Sequence, residues 1–214
     1  MEHAAVIFAD LAGFTALTEA HGDMAAADTA EHLVAAARSV LDVGDRLIKS
    51  IGDAVLLTSS TPAAAVRLIV ALVQACRGDA LLPDLRAGAH YGPIVARDGD
   101  IFGATVNIAA RVAAHAGGGQ ILVTRPIAAA VDTNLRIREH GIVSLRNVTT
   151  PIEVFELVDT DAPIRVIDPV CRMPVDPLHA PARLSHGTGD YLFCSLGCAA
   201  RFAAHPDQYV TNPM

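Results

Sequence analysis

Two aspartates stand where an apolar run stops or a tight turn forms. Asp10 ends the run Ala4 to Ala9, and Asp53 follows Ile51-Gly52 between two short apolar stretches. Carboxylates at neighbouring strand ends offer the oxygen ligands that hard cations such as Mg²⁺ prefer. Two such ions can activate an attacking oxygen and neutralise a polyphosphate. Either aspartate alone is an ordinary turn residue. Asn107 and Arg111 lie four apart in a segment of helical spacing and share one face. An arginine there can grip phosphate oxygens, although alone on an Ala-rich helix it reads as solvated.

A second cluster lies near the C-terminus. Of the four cysteines, Cys76 sits alone in a helical pattern and reads as buried. Twenty-two residues separate Cys171 from Cys194, and three separate Cys194 from Cys198. Clustered cysteines in a cytosolic chain point to a metal more than to a disulfide. Thiolates select Zn²⁺ or Cu⁺ over hard cations. A closed zinc site has four ligands, so His205 or Asp176 is expected as the fourth, unless the site is open or the cysteines are merely buried. His179 and His186 read as solvated.

The elements that must position these groups alternate along the chain. Ala4 to Ala9 reads as a buried strand entering the loop Asp10-Leu11-Ala12-Gly13. Ala25 to Leu41 has helical spacing. Arg46 to Ile51 and Ala54 to Thr58 form a hairpin about Gly52-Asp53. Thr61-Pro62 opens a helix running to about Cys76. Leu85 to Val95 is a strand, and Arg97-Asp98-Gly99-Asp100 is a turn. Thr105 to Ala116 is a helix stopped by Gly117-Gly118-Gly119. Ile121 to Thr124, Leu135 to Glu139 and Ile152 to Leu157 are further strands. The pattern predicts an α+β sandwich on a mainly antiparallel sheet.

The chain has 214 residues, 52% hydrophobic and 18% charged, enough for one medium domain and one small one. Asp159 to Arg165 is a polar linker, so the expected units are residues 1–160 and 166–214. A net charge of −7 with no Lys/Arg cluster argues against nucleic acid as a partner. No run approaches the ~18 apolar residues of a membrane span. Met1-Glu2-His3 lacks the basic start of a signal peptide. A cytoplasmic protein with no membrane partner is the expectation.

Three segments together carry a resemblance: Phe8-Ala9-Asp10-Leu11-Ala12-Gly13-Phe14-Thr15, Lys49-Ser50-Ile51-Gly52-Asp53, and Asp100 through Arg111. They resemble the class III adenylate/guanylate cyclase catalytic domain, over about residues 3 to 158. The resemblance implies a ferredoxin-like fold and a head-to-tail homodimer. Asp10, Asp53 and the Leu11 carbonyl would hold two Mg²⁺ or Mn²⁺ ions per active site. Asn107 would orient the ribose, and Arg111 would stabilise charge on the α-phosphate. Lys49 and Asp100 would read the base, and these two together with Asn107 and Arg111 would come from the other subunit. Lysine only donates and ionised aspartate only accepts, which matches adenine N1 and N6 and mismatches guanine. Each mispaired, desolvated group costs about 1–3 kcal/mol, so ATP is the expected substrate. Arg146 is a further candidate for the phosphates.

The tail, with Asp168-Pro169-Val170-Cys171, Phe193-Cys194, Gly197-Cys198, Phe202 and His205-Pro206, resembles the YHS domain. That resemblance implies a soft-metal module on Cys171, Cys194 and Cys198, able to regulate turnover. The rival readings are a catalytically weak, metal-responsive binding protein and a guanylate cyclase.

Overall fold

The computed structural model describes residues 2–132, 135–145, 148, 150–159 and 165–210. Strands β1 (Glu2–Leu11), β2 (Arg46–Ile51), β3 (Ala54–Ser59), β4 (Leu85–Arg97), β5 (Asp100–Phe102), β6 (Ile121–Thr124), β7 (Arg136–Val143) and β8 (Ile152–Val158) form one sheet. Its order is β2-β3-β1-β4-β6-β8-β7, with β5 paired to β4. Every pairing is antiparallel except β4 with β6.

Alternation along β1 assigns the two faces. Ala5, Ile7, Ala9 and Leu11 point to one side, where α1 (Phe14–Ser39), α2 (Pro62–Gly78) and the short α4 (Arg125–Ala128) cover them. Helix α2 begins as expected: Thr61 accepts a hydrogen bond from Ala64 N at 3.2 Å, and Pro62 follows it. Its buried stripe of Ala65, Leu68, Ile69, Leu72 and Cys76 faces the sheet. Each such large side chain, fully buried, stabilises the fold by about 1.5–3 kcal/mol.

Ala4, Val6 and Phe8 point to the other face, against α3 (Ala104–His115) and the β4–β5 hairpin. Gly88 of β4 lets α3 approach: a Cβ there would stand 2.0 Å from Ala113 N. Any side chain at this position would push away the helix that carries Asn107 and Arg111.

Helix α1 is longer than the spacing predicts. It starts at Phe14 rather than Ala25 and breaks at Gly22, whose φ of 86° is not helical. Packing supplies what the local pattern lacks, since Leu17 is buried and Ala20 lies against the tail. Strand β7 runs past Glu139 through an irregularity at Gly141. The tail holds β9 (Val166–Ile167) paired with β10 (Pro174–Val175), β11 (Ala182–His186) paired with β12 (Gly189–Phe193), and α5 (Leu196–Ala204). Its core is Val170, Cys171, Phe193, Cys198, Ala199 and Phe202.

Candidate active site and tail metal centre

Asp10, next to last in β1, lies opposite Ala54 on one side and Arg86 on the other. The β2–β3 turn places Asp53 beside it. Ile51 pairs with Ala54, leaving only Gly52 and Asp53 in the turn, and Gly52 takes the positive φ of 60° that such a turn requires. Leu11 N donates to the Asp53 carbonyl at 3.2 Å, tying the turn to the end of β1. Burial, reinforced by the negative charge of Asp10, holds the Asp53 carboxyl above its ordinary pKa.

Arg86, which sequence reasoning passed over, donates from Nε to Asp10 Oδ1. Two carboxylates and one guanidinium leave a net negative charge here. The carboxylate pair and the nearby backbone suit a hard, oxygen-ligated cation, and Arg86 suits the anion such a cation carries. The sequence signal for Arg86 was a charged residue at the start of a mostly apolar strand.

Lys49 and Asp100 meet from separate elements. Lys49 lies on β2 at a register shift, and Asp100 opens β5. Nζ donates to Asp100 Oδ2 at 2.5 Å, and this bond lowers the Asp100 pKa. The pair remains partly exposed, with side chains 41% and 30% accessible, so a ligand can reach it. Asn107 and Arg111 both lie on α3, Asn107 exposed and Arg111 half-buried. Thr105 anchors that helix by donating to the Pro93 carbonyl at 2.7 Å. Among the described residues, no hydrogen bond or ion pair joins the Asp10/Asp53 group to the Lys49/Asp100 pair or to the α3 residues. Arg146 lies outside the described residues.

In the tail, the three thiols converge. Cys194 Sγ lies 3.4 Å from Cys171 Sγ and 3.8 Å from Cys198 Sγ. Asp168, fully buried, organises them. Its Oδ1 accepts from Val170 N at 2.8 Å and Cys171 N at 3.4 Å, and its Oδ2 accepts from Cys194 N at 2.8 Å. Ser195 caps α5 through Cys198 N at 3.1 Å. The hydrogen bond from Cys171 draws the Cys194 thiol down to about 7, while the same bond and burial push Cys171 upward. Burial pushes Cys198 up to about 11.

Neither expected fourth ligand stands at the thiols. Asp176 is taken up by His179 Nδ1 at 2.7 Å and by Leu178 N at 2.9 Å, and His205 ends α5 as its exposed cap. His186 lies edge-on to Phe202. The histidine that does reach the thiols is His21 of α1, whose Nε2 is 3.5 Å from Cys194 Sγ and 3.8 Å from Cys198 Sγ.

No helix among the described residues is long and apolar enough to cross a membrane. Comparison with known proteins matches residues 1–158 to the adenylate and guanylate cyclase catalytic domain and residues 166–212 to the YHS domain. An uncharacterized protein of Mycobacterium tuberculosis is 40% identical over 153 residues, which cover 71% of this chain and 40% of that protein. An adenylate cyclase of Streptomyces coelicolor is 39% identical over 126 residues, covering 56% and 32%. The chain thus spans two fifths or less of the length of these relatives. In fold, an adenylyl cyclase from P. aeruginosa superposes with a TM-score of 0.64 at 22% identity, covering 74% of this chain and 95% of that one. An adenylate/guanylate cyclase/hydrolase from Silicibacter pomeroyi gives 0.61 at 27%, covering 75% and 98%. A carboxylate pair at the end of the central strands, a helix bearing Asn107 and Arg111 against the same sheet, and a match over 158 of 214 residues make one conclusion: the chain belongs to the adenylate and guanylate cyclase catalytic domain family and carries a YHS domain behind it.

Proposed function

We propose that this chain is an adenylate cyclase that converts ATP to 3′,5′-cyclic AMP and pyrophosphate in sites shared by two copies. Its catalytic unit would be residues 1–160 and its metal-binding unit residues 166–214. The observation that carries the substrate choice is the Lys49–Asp100 pair, a donor and an acceptor held 2.5 Å apart and open to solvent. An adenine edge satisfies both groups in place of their mutual bond, Lys49 donating to N1 and Asp100 accepting from N6. A guanine edge leaves both groups mispaired.

Asp10, Asp53 and the Leu11 carbonyl would hold two Mg²⁺ or Mn²⁺ ions. When bound, these lower the pKa of the ribose 3′-hydroxyl and neutralise the triphosphate. Asn107 orients the ribose so that the 3′-oxygen lies in line with the α-phosphorus. The 3′-hydroxyl gives up its proton to solvent, the new O–P bond forms as the bond to pyrophosphate breaks, and Arg111 takes up the charge that grows on the α-phosphate. Arg86 is placed to turn from Asp10 to the polyphosphate. One chain that carries both groups, with no hydrogen bond or ion pair joining them among the described residues, fits a homodimer in which each copy completes the other's site. Unpaired thiols and an ATP substrate suit the cytoplasm.

The double variant Lys49→Glu/Asp100→Cys tests the base reading. It is expected to lower kcat/KM for ATP by about tenfold or more, the scale of losing two matched hydrogen bonds. Unchanged ATP kinetics would show that these residues do not touch the base.

A further inference from the structure

The tail's metal site is incomplete within the tail. The donor atoms of Cys171, Cys194, Cys198 and His21 all lie within 4.8 Å of one another, and His21 belongs to the cyclase unit, 173 positions before Cys194. A tetrahedral zinc with bonds of about 2.3 Å to sulfur and about 2.0–2.1 Å to nitrogen sets ligand separations near ~3.8 Å for two sulfurs and ~3.6 Å for sulfur and nitrogen. The observed contacts from Cys194 are 3.4 and 3.8 Å to sulfur and 3.5 Å to His21 Nε2. The geometry points to a four-coordinate Cys₃His site whose fourth ligand is His21, so that a borderline-soft divalent ion of the zinc class staples the tail to α1.

Three features make His21 more than a bystander. It is the last residue before the break at Gly22, where the first segment of α1 ends. The carbons of that segment already join the tail, Ala20 packing on the core that contains Cys171 and Cys198. A cavity of about 660 Å³, lined by His21, His32, Met173 and Cys194, also opens beside the site and gives an ion a path to it.

The staple would hold the tail on the end of β1. Arg172, the residue after Cys171, takes a left-handed φ of 66°, and its side chain lies over Gly13. A Cβ on Gly13 would stand 2.3 Å from Arg172 Cγ, so only glycine leaves room for the arginine stem. Arg165 reaches the same region, donating to Asp84 Oδ1 at 3.2 Å and to the Leu82 carbonyl at 3.0 Å, while the Asp84 carbonyl accepts from Ala12 N at 2.8 Å. The ion thereby fixes the tail against the end of β1 and the turn Ala12–Gly13, the segment that carries Asp10 and the Leu11 carbonyl.

This inference rests on the reading that the tail thiols bind a metal, and the experiment separates the two. The full metal-free chain is titrated with Co²⁺, a spectroscopic substitute for Zn²⁺, and then with Zn²⁺ in competition. The native chain is expected to take up one Co²⁺ with the intense absorption of a tetrahedral thiolate site. His21→Ala is expected to change that absorption and to weaken Zn²⁺ binding by about tenfold or more, since even partners outside a metal's ligand set are worth about 10–100-fold. His21→Cys restores four-coordinate binding with stronger charge-transfer bands. Zn²⁺ should also slow amide hydrogen exchange over Leu11 to Gly22 in the native chain and not in His21→Ala. Identical spectra and affinities in the native chain and His21→Ala would overturn the staple while leaving a tail site of three cysteines. A native chain that takes up no cobalt would overturn both readings.

Discussion

Asp53→Ala and Asn107→Ala are each expected to cyclise ATP roughly 10²–10³-fold more slowly than the native chain, and an equal mixture of the two to recover about a quarter of native activity. Asp53 lies in the β2–β3 turn beside Asp10, while Asn107 lies on α3. No bond links the two groups among the described residues. If the sites lie between two copies, each variant homodimer has two damaged sites. In a mixed dimer one site collects both lesions and the other collects neither. Random exchange makes half of the dimers mixed, each with one good site of two, which gives about a quarter of native turnover. The measurement is the rate after exchange, with mixed dimers verified by differently tagged chains. Recovery absent from proven mixed dimers would rule out the shared site.

Arg111→Ala is expected to lower kcat by about 10²–10³-fold with KM for ATP changed little, the pattern of an interaction made in the transition state. Arg111 stands half-buried on α3, one turn beyond Asn107, on a helix pressed against Gly88 and anchored by Thr105. A fixed guanidinium can meet charge as it develops without reorganising. Arg111→Lys should restore only part of the rate, since a point charge on a flexible stem does not reproduce the planar fork. A raised KM with native kcat would instead assign Arg111 to ground-state binding.

Much of the catalytic half was legible because local chemistry fixes it. Gly52-Asp53 sets a two-residue hairpin and hence its register, Thr61-Pro62 caps α2, and Gly117-Gly118-Gly119 stops α3 close to the expected place. Spacing put Asn107 and Arg111 on one helix, and the structure brings Lys49 to Asp100 across 51 positions. What was not legible depends on packing between distant segments. Residues Phe14 to Gly22 carry a glycine and a polar pattern too weak to predict a helix, and become one through burial of Leu17 and contact with the tail. Arg86 looks unremarkable in its strand until β4 is laid beside β1, which sets it opposite Asp10. His21 carries no local sign of a thiol partner near the other end of the chain, which is why His205 and Asp176, nearer in sequence, looked the better ligands. The tail strands, two to five residues long, fall below what alternation can reveal.

The central claim is that this chain cyclises ATP. Its most direct test is turnover of the purified full chain with ATP and with GTP, each in Mg²⁺ and in Mn²⁺, with the cyclic nucleotide and pyrophosphate measured together. The predicted result is cyclic AMP and pyrophosphate in equal amounts from ATP, with GTP used about tenfold or more less efficiently because Lys49 and Asp100 mispair with guanine. Equal use of both nucleotides, or no cyclic product from either in both metals, would contradict it.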